Sequence, residues 1–293
     1  MRVLIIKRGA SGDVIRTTVL RHFLRCEIDW LTSDMNEQLI RGIEGVRPVS
    51  WSNREEIFGT EYSLAINLED DTESAAILES VKCRDRYGAY RSADGEMTYT
   101  ESASPWFDLG MISRYGIQKA NELKLQNRQT FQHLVCLGLG FAFEDEKYHL
   151  PEAPASSLAG DVAISMEAGK VWPMKNWAFY DRLMERLISD GYRVNSLPLR
   201  STMLEHMADI RNHRLLISGD SLPMHFALGS GIHCITLFIC TSPWEIHGYR
   251  IQEKMVSPYL ERFFYRRDFD PEAPRSISFD AVYECARKML EEQ

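Results

Sequence analysis

Three short stretches of the 293-residue chain carry residue types that could bind an anion or move a proton. KRGASGD (residues 7–13) sets two glycines and then a carboxylate where an apolar run gives way to a helical one. SMEAGKVWP (165–173) places Lys170 between a strand and a helix start. Residues 216–242 join an apolar run to a polar turn ending in Asp220 and Ser221, then a helix with His225, then a second apolar run. Asp220 or Ser221 stands where a helix cap belongs, and exposed N–H groups at a helix start favour an anion there. Asp13 suits either a helix cap or a base that takes a proton from a hydroxyl. Lys170 suits either a solvated surface site or a phosphate contact, and His225 either a core site or the same end of the helix as Ser221.

These residues need strands that end beside helix starts. Residues 2–6 are a buried strand, and a helix is expected from about Asp13 to Leu24. Further strands are expected at 26–31 and 62–68, with helices at 33–43, 74–81 and 120–139. Residues 141–160 turn charged and proline-bearing, which marks a domain boundary. The pattern then restarts with a strand at 162–165 and one amphipathic helix at 172–190, stopped by Gly191. Strands at 192–197 and 215–217, a helix at 204–211 and a last helix at 279–290 follow. Strand–helix alternation in both halves predicts an α/β chain of two Rossmann-like domains facing a cleft.

Composition narrows the function. A net charge of −8 argues against a nucleic-acid binder. The six cysteines are scattered without a zinc spacing and sit mostly in apolar runs, as buried thiols do in a reducing compartment. No run approaches the ~20 apolar residues of a membrane span, so a cytoplasmic protein is expected, with peripheral contact at the inner membrane left open. Two acidic triplets, Asp268–Phe269–Asp270 and Glu69–Asp70–Asp71, read as solvated loops, and no metal is expected. The loop 9–12 lacks the full G-x-G-x-x-G of a dinucleotide site. Arg84, Arg86, Arg91 and residues 259–268 mix bases with aromatics, which suits either an amphipathic strand and its edge or contact with a phosphorylated or lipid-linked molecule.

Four motifs in order, MRVLIIKRGASGDV (1–14), KVWP (170–173), GDSLPMHFA (219–227) and LFICTSPWEIHGY (237–249), resemble the ADP-heptose:lipopolysaccharide heptosyltransferase family of glycosyltransferases. The resemblance covers nearly the whole chain. It implies the GT-B fold, with residues 1–150 as the acceptor side and 151–293 binding the nucleotide sugar, the last helix free to pack back on the first domain. It implies an inverting, metal-independent transfer of a sugar from a nucleotide-diphospho-sugar (ADP-heptose) to an acceptor hydroxyl in lipopolysaccharide or another surface glycan. No further cofactor is implied; the partners are that donor and a glycan or lipid-linked acceptor. Asp13 matches the family's proposed general base and Lys170 the lysine that holds the diphosphate. Donor contacts are implied for Gly9, Ala10, Gly12, Ser165, Lys170, Asp220, Ser221, Leu222, His225 and Thr241. The chain departs from the family at Gly9 and Ala10, where hydroxyl residues are usual, at Met166, and at Leu222, where glycine is usual. Transfer of another sugar to a protein or small-molecule acceptor, and a non-catalytic binding protein of the same fold, are the alternative readings.

Overall fold

Strand β1 (Arg2–Ile6) is apolar on both faces, with Val3–Ile6 fully buried, and such a strand has to be covered by neighbours on every side. It is central to one of two parallel sheets. The computed structural model describes residues 1–167, 169 and 171–292, and it divides into two compact units, Met1–Pro151 and Glu152–Gln293.

In the first unit β1 pairs in parallel with β2 (Glu27–Thr32) and β4 (Glu61–Asn67). Adding β3 (Val46–Ser50), β5 (Lys82–Arg91) and β6 (Met97–Tyr99), the sheet order is β3-β2-β1-β4-β5-β6, with β6 alone antiparallel. Helices α1 (Ser11–Thr17), α2 (Thr72–Ser80), α3 (Ser104–Phe107), α4 (Ile117–Gln126) and α5 (Phe131–Gly138) connect or cover it. The strand order reverses between β1 and β4, so the loops after these two strands form the crevice where α/β sheets bind ligands. Gly88 on β5 takes φ +100°, and a Cβ there would lie 1.8 Å from the Asn67 carbonyl oxygen, so this close approach of β5 to β4 requires glycine.

Local chemistry shortens several expected helices. Thr17 and Thr18 bond their hydroxyls back to the carbonyls of Asp13 and Ile15, both at 2.6 Å, and the chain tightens into a 3₁₀ turn at Thr18–His22. The helix expected at 33–43 is a 3₁₀ turn at Glu37–Leu39 followed by two positive-φ glycines, Gly42 and Gly45. Those glycines lead into β3, an edge strand that tolerates Pro48 because its outer N–H row is unpaired. The helix expected at 120–139 is two helices, because Thr130 starts α5 afresh by capping the His133 N–H.

A buried carboxylate ties this sheet together. Asp29 on β2, 1% exposed, takes a bidentate contact from Arg47 on β3 (2.9 and 2.8 Å) and a hydrogen bond from the Tyr62 hydroxyl on β4 (2.8 Å). Burial raises its pKa, but the Arg47 and Tyr62 hydrogen bonds outweigh burial and hold it below the usual carboxylate value.

The second unit holds β7 (Gly160–Ser165), β8 (Val194–Ser196), β9 (His213–Gly219), β10 (His233–Phe238) and β11 (Gln252–Val256), all parallel in the order β11-β10-β9-β7-β8. Its helices are α6 (Tyr180–Ser189), α7 (Met203–Arg211), α8 (Leu222–Ser230), α9 (Leu260–Phe263) and α10 (Phe279–Glu291). Leu183 and Leu187 of α6 and Val282, Ala286 and Leu290 of α10 pack with Val162, Ile217 and Ile235 of the sheet. The last helix therefore completes the core of its own unit. The single helix expected at 172–190 begins only at Tyr180. Residues before it dock on the C-terminal segment instead, Trp177 Nε1 donating to the Ile277 carbonyl and the Ala178 N–H to that of Pro274, both at 2.9 Å. Here the order reverses between β7 and β9, which puts Asp220 and Ser221 at the crevice end. Among the described residues, no helix is long and apolar enough to cross a membrane.

Asp29→Ala strips Arg47 and Tyr62 of their shared acceptor, and a loss on the order of 3 kcal/mol is expected in urea unfolding. The folded carboxyl titrates below its unfolded value of about 3.9, so its stabilisation is complete above that pH and is lost as pH falls through the folded value. Wild-type urea midpoints should therefore fall more steeply below pH ~4 than those of the Asp29→Ala variant.

Candidate active site

In the first unit the loop after β1 is held by the loop after β4. Glu69 Oε1 accepts from Lys7 Nζ (2.9 Å) and from the N–H groups of Arg8 (2.6 Å) and Gly9 (3.0 Å). Lys7 is buried; it also donates to the Gly9 carbonyl and stands 3.9 Å from Asp13 Oδ2. Asn36 completes the loop, donating to the Arg8 carbonyl and accepting from the Ser11 hydroxyl (2.6 and 2.7 Å). The Gly9–Ala10 peptide is cis.

Asp13 lies inside the first turn of α1, and Ala10 occupies the cap position, so Asp13 is not the cap. Its carboxylate pairs instead with Arg16 at 2.9 Å, one turn on, and with Lys7. Arg16 is buried with its guanidinium 4.0 Å over the Phe131 ring and 5.4 Å from that of Trp106, which fixes its plane. The Asp13 side chain keeps 34% of its surface exposed. It is thus a partly exposed carboxylate flanked by two cations. Residues of the β1 and β4 loops, including Arg8, Gly9, Ala10, Asn36 and Glu69, line a groove of about 890 Å³.

In the second unit Lys175 Nζ donates to the Asp220 carbonyl (2.6 Å) and carboxylate (3.1 Å), with the two side chains 11% and 17% exposed. Burial raises the Asp220 pKa, and the Lys175 ammonium, with smaller help from Thr241 and His225, outweighs it, leaving the carboxyl below its usual value. The Thr241 hydroxyl acts on Asp220 as a nearby dipole and falls short of full hydrogen-bond geometry. Ser221 takes the cap position of α8, but its hydroxyl turns back to the Gly219 carbonyl (3.2 Å) and caps no N–H. Leu222 opens α8 and is partly exposed, while His225 is buried one turn in, close enough to act on Asp220. Ser165 ends β7 in register with Ser218 of β9.

Three hydroxyls at this end of the sheet, those of Ser218, Thr241 and Ser242, are buried without a hydrogen-bond partner among the described residues. Buried hydroxyls are ordinarily satisfied, so this group is ready to bond something bound at the site. Lys254 fastens the loop that carries Thr241 and Ser242, donating to the carbonyls of Pro243 (2.7 Å) and Ile246 (2.5 Å). Burial pushes its ammonium down to about 8.

The structure therefore gathers the site residues expected from sequence into two sets. Gly9, Ala10, Gly12 and Asp13 belong to the first unit, and Ser165, Asp220, Ser221, Leu222, His225 and Thr241 to the second. Lys170 lies outside the described residues. Sequence reasoning missed Lys175, although it stands only five residues on in the same KVWPMK run, and it missed Lys7, Arg16 and Asn36. The acidic triplets are engaged within the protein: Asp268 pairs with Arg266 and Asp270 with Arg262, while Glu69 holds the β1 loop and Asp71 caps α2. Arg84 and Arg91 on β5 pair with Asp85 and Glu79, and Arg86 Nε contacts Cys83 Sγ at 3.4 Å. Among the described residues, no cluster of three His, Cys, Asp or Glu side chains could hold a metal ion.

Neither a protein-family model nor a curated protein matches the chain. Solved structures do. The Escherichia coli heptosyltransferase WaaC with ADP aligns over 99% of this chain and 100% of its own at 15% identity and a TM-score of 0.64. E. coli ADP-heptose LPS heptosyltransferase II aligns over 100% and 99% at 15% identity and the same TM-score. A glycosyl transferase family 9 protein from Veillonella parvula reaches a TM-score of 0.70 at 13% identity over 100% and 98%. The chain has the GT-B heptosyltransferase fold. Both sheets carry a largely buried ion pair at their switch points, Lys7–Glu69 in one and Lys175–Asp220 in the other.

A double-mutant cycle tests the second pair. Lys175→Met and Asp220→Asn should each cost on the order of 3 kcal/mol in urea unfolding by leaving a buried charge unpaired. The double variant should cost clearly less than their sum, and strict additivity would show that the two do not interact.

Proposed function

We propose that the protein is an inverting glycosyltransferase that moves a sugar from a nucleotide-diphospho-sugar to an acceptor hydroxyl without a metal ion. The observation that carries this reading is the Asp13 carboxylate, flanked by Arg16 and Lys7 and 34% exposed. The fold likeness supports it, since solved neighbours hold ADP and ADP-2-deoxy-2-fluoro heptose. By the sequence resemblance the donor is ADP-heptose and the acceptor belongs to lipopolysaccharide or another surface glycan.

In this reading the first unit receives the acceptor and the second the donor. Asp13 takes the proton of the acceptor hydroxyl as that oxygen bonds to the anomeric carbon. The bond from that carbon to the diphosphate oxygen breaks, and its electron pair leaves on the diphosphate. Negative charge grows on the leaving group, so fixed donors and cations lower the barrier. Lys170 is assigned to the diphosphate on the family match, and the α8 start with Ser221 and Thr241 adds polar groups. Asp220, kept ionised by Lys175, accepts from hydroxyls of the donor sugar. Gly9, Ala10 and Gly12 leave the β1 loop without bulky side chains, which suits close approach of the reacting groups.

Two measurements test the proposal. Asp13→Asn keeps the shape but loses the base, so transfer from ADP-heptose should fall about 100-fold or more, with ADP affinity by calorimetry unchanged. Undiminished turnover would remove Asp13 from the base role. Mass analysis of products from a panel of nucleotide sugars identifies the donor, and Lys170→Ala should weaken binding of that donor about tenfold or more.

A further inference from the structure

Strand β11 reads QEKMV, and its polar residues are not all turned to solvent. Alternation puts Gln252 and Lys254 on one face, both partly buried, while Met255 faces the core of the unit. In the parallel register with β10, Gln252 lies beside Cys234 and Lys254 beside Thr236. Gln252 donates to the Thr236 hydroxyl at 2.8 Å. Lys254 reaches further, to the carbonyls of Pro243 and Ile246 in the loop that follows β10. A lysine has three N–H donors on a long stem, so one ammonium can hold two loop carbonyls from a neighbouring strand. Desolvating that ammonium is costly, and an edge strand would accept an apolar residue in its place. The cation is therefore explained by what it holds.

The loop it holds carries the hydroxyls of Thr241 and Ser242. Both residues are buried, and neither hydroxyl has a hydrogen-bond partner among the described residues. The backbone is tied on either side of them. Before them, the Cys240 carbonyl accepts from the Tyr265 N–H at 2.8 Å. After them, the Pro243 carbonyl accepts from Lys254 at 2.7 Å. Thr241 acts on the Asp220 carboxyl, so this part of the loop borders the start of α8.

We propose that Lys254 is a positioning residue for the donor, setting the Thr241 and Ser242 hydroxyls to bond the diphosphate of the nucleotide. It acts through the loop and does not itself touch the diphosphate. This rests on the glycosyltransferase reading, in which the second unit holds the donor.

Calorimetry with ADP on the full chain tests it. Lys254→Met should weaken ADP about tenfold with the stoichiometry unchanged. Thr241→Val with Ser242→Ala should weaken ADP about tenfold or more. Adding Lys254→Met to that pair should cost no more than about a further twofold, because the hydroxyls it positions are gone. A lysine that only stabilises the fold would lower the urea midpoint and leave ADP affinity unchanged, which overturns the inference. An equal loss from Lys254→Met in both backgrounds also overturns it, since the ammonium would then meet the diphosphate directly. If Lys254→Met does not fold, Lys254→Gln keeps a donor for one carbonyl and should weaken ADP about threefold. Unchanged affinity in that variant overturns the inference equally. In each of these outcomes wild type binds ADP and the donor reading stands. Failure of wild type to bind ADP removes that reading and this inference with it.

Discussion

Parallel strands buried on both faces impose the constraint on which this protein depends. Val3–Ile6 on β1 and Leu215–Ile217 on β9 admit no polar side chain along their length, so function is confined to the strand ends. Because neighbouring strands run the same way, all those ends lie along one edge of each sheet. The reversal of strand order beside β1, and again beside β9, opens that edge where two loops diverge. Asp13 and Asp220 both follow such openings.

Charge at these openings is held in pairs. Lys7 with Glu69, Arg16 with Asp13, and Lys175 with Asp220 each place a partly or wholly desolvated ion against its opposite. Pairing of this kind is a weak source of net stability, since desolvation offsets most of the attraction. Its consequence here is geometric. A carboxylate wedged between a guanidinium stacked on Phe131 and a buried ammonium has little freedom to turn, and preorganisation of that sort is what a reacting group needs. The buried hydroxyls of Ser218, Thr241 and Ser242, which have no hydrogen-bond partner among the described residues, belong to the same unit as the second pair.

The fold was legible in the sequence wherever burial wrote an uninterrupted signal. The strands β1, β4, β9 and β10 and the last helix are apolar in the period their structure demands, and they emerge near their expected positions. The edge strands β3 and β11 did not. β3 contains Pro48 and β11 reads QEKMV, because an edge strand packs on fewer neighbours and need not be apolar. Helix lengths were overestimated for a related reason. Hydrophobic spacing runs on through 13–24, 120–139 and 172–190, while the stops come from Thr17 and Thr18 hydroxyls, a fresh cap at Thr130, and the docking of Trp177 on Ile277.

By itself, the sequence determined the α/β class, the resemblance to heptosyltransferases and the candidate carboxylates Asp13 and Asp220, because these are written in short contiguous motifs. Only the tertiary structure decided their partners. Arg16 sits one turn from Asp13, but Glu69 is 62 residues from the Lys7 it holds and Lys175 is 45 from Asp220. Such pairs leave no local spacing to read. They exist because the crossing connections of a parallel sheet bring distant strand ends to one edge, where buried charge must find its opposite.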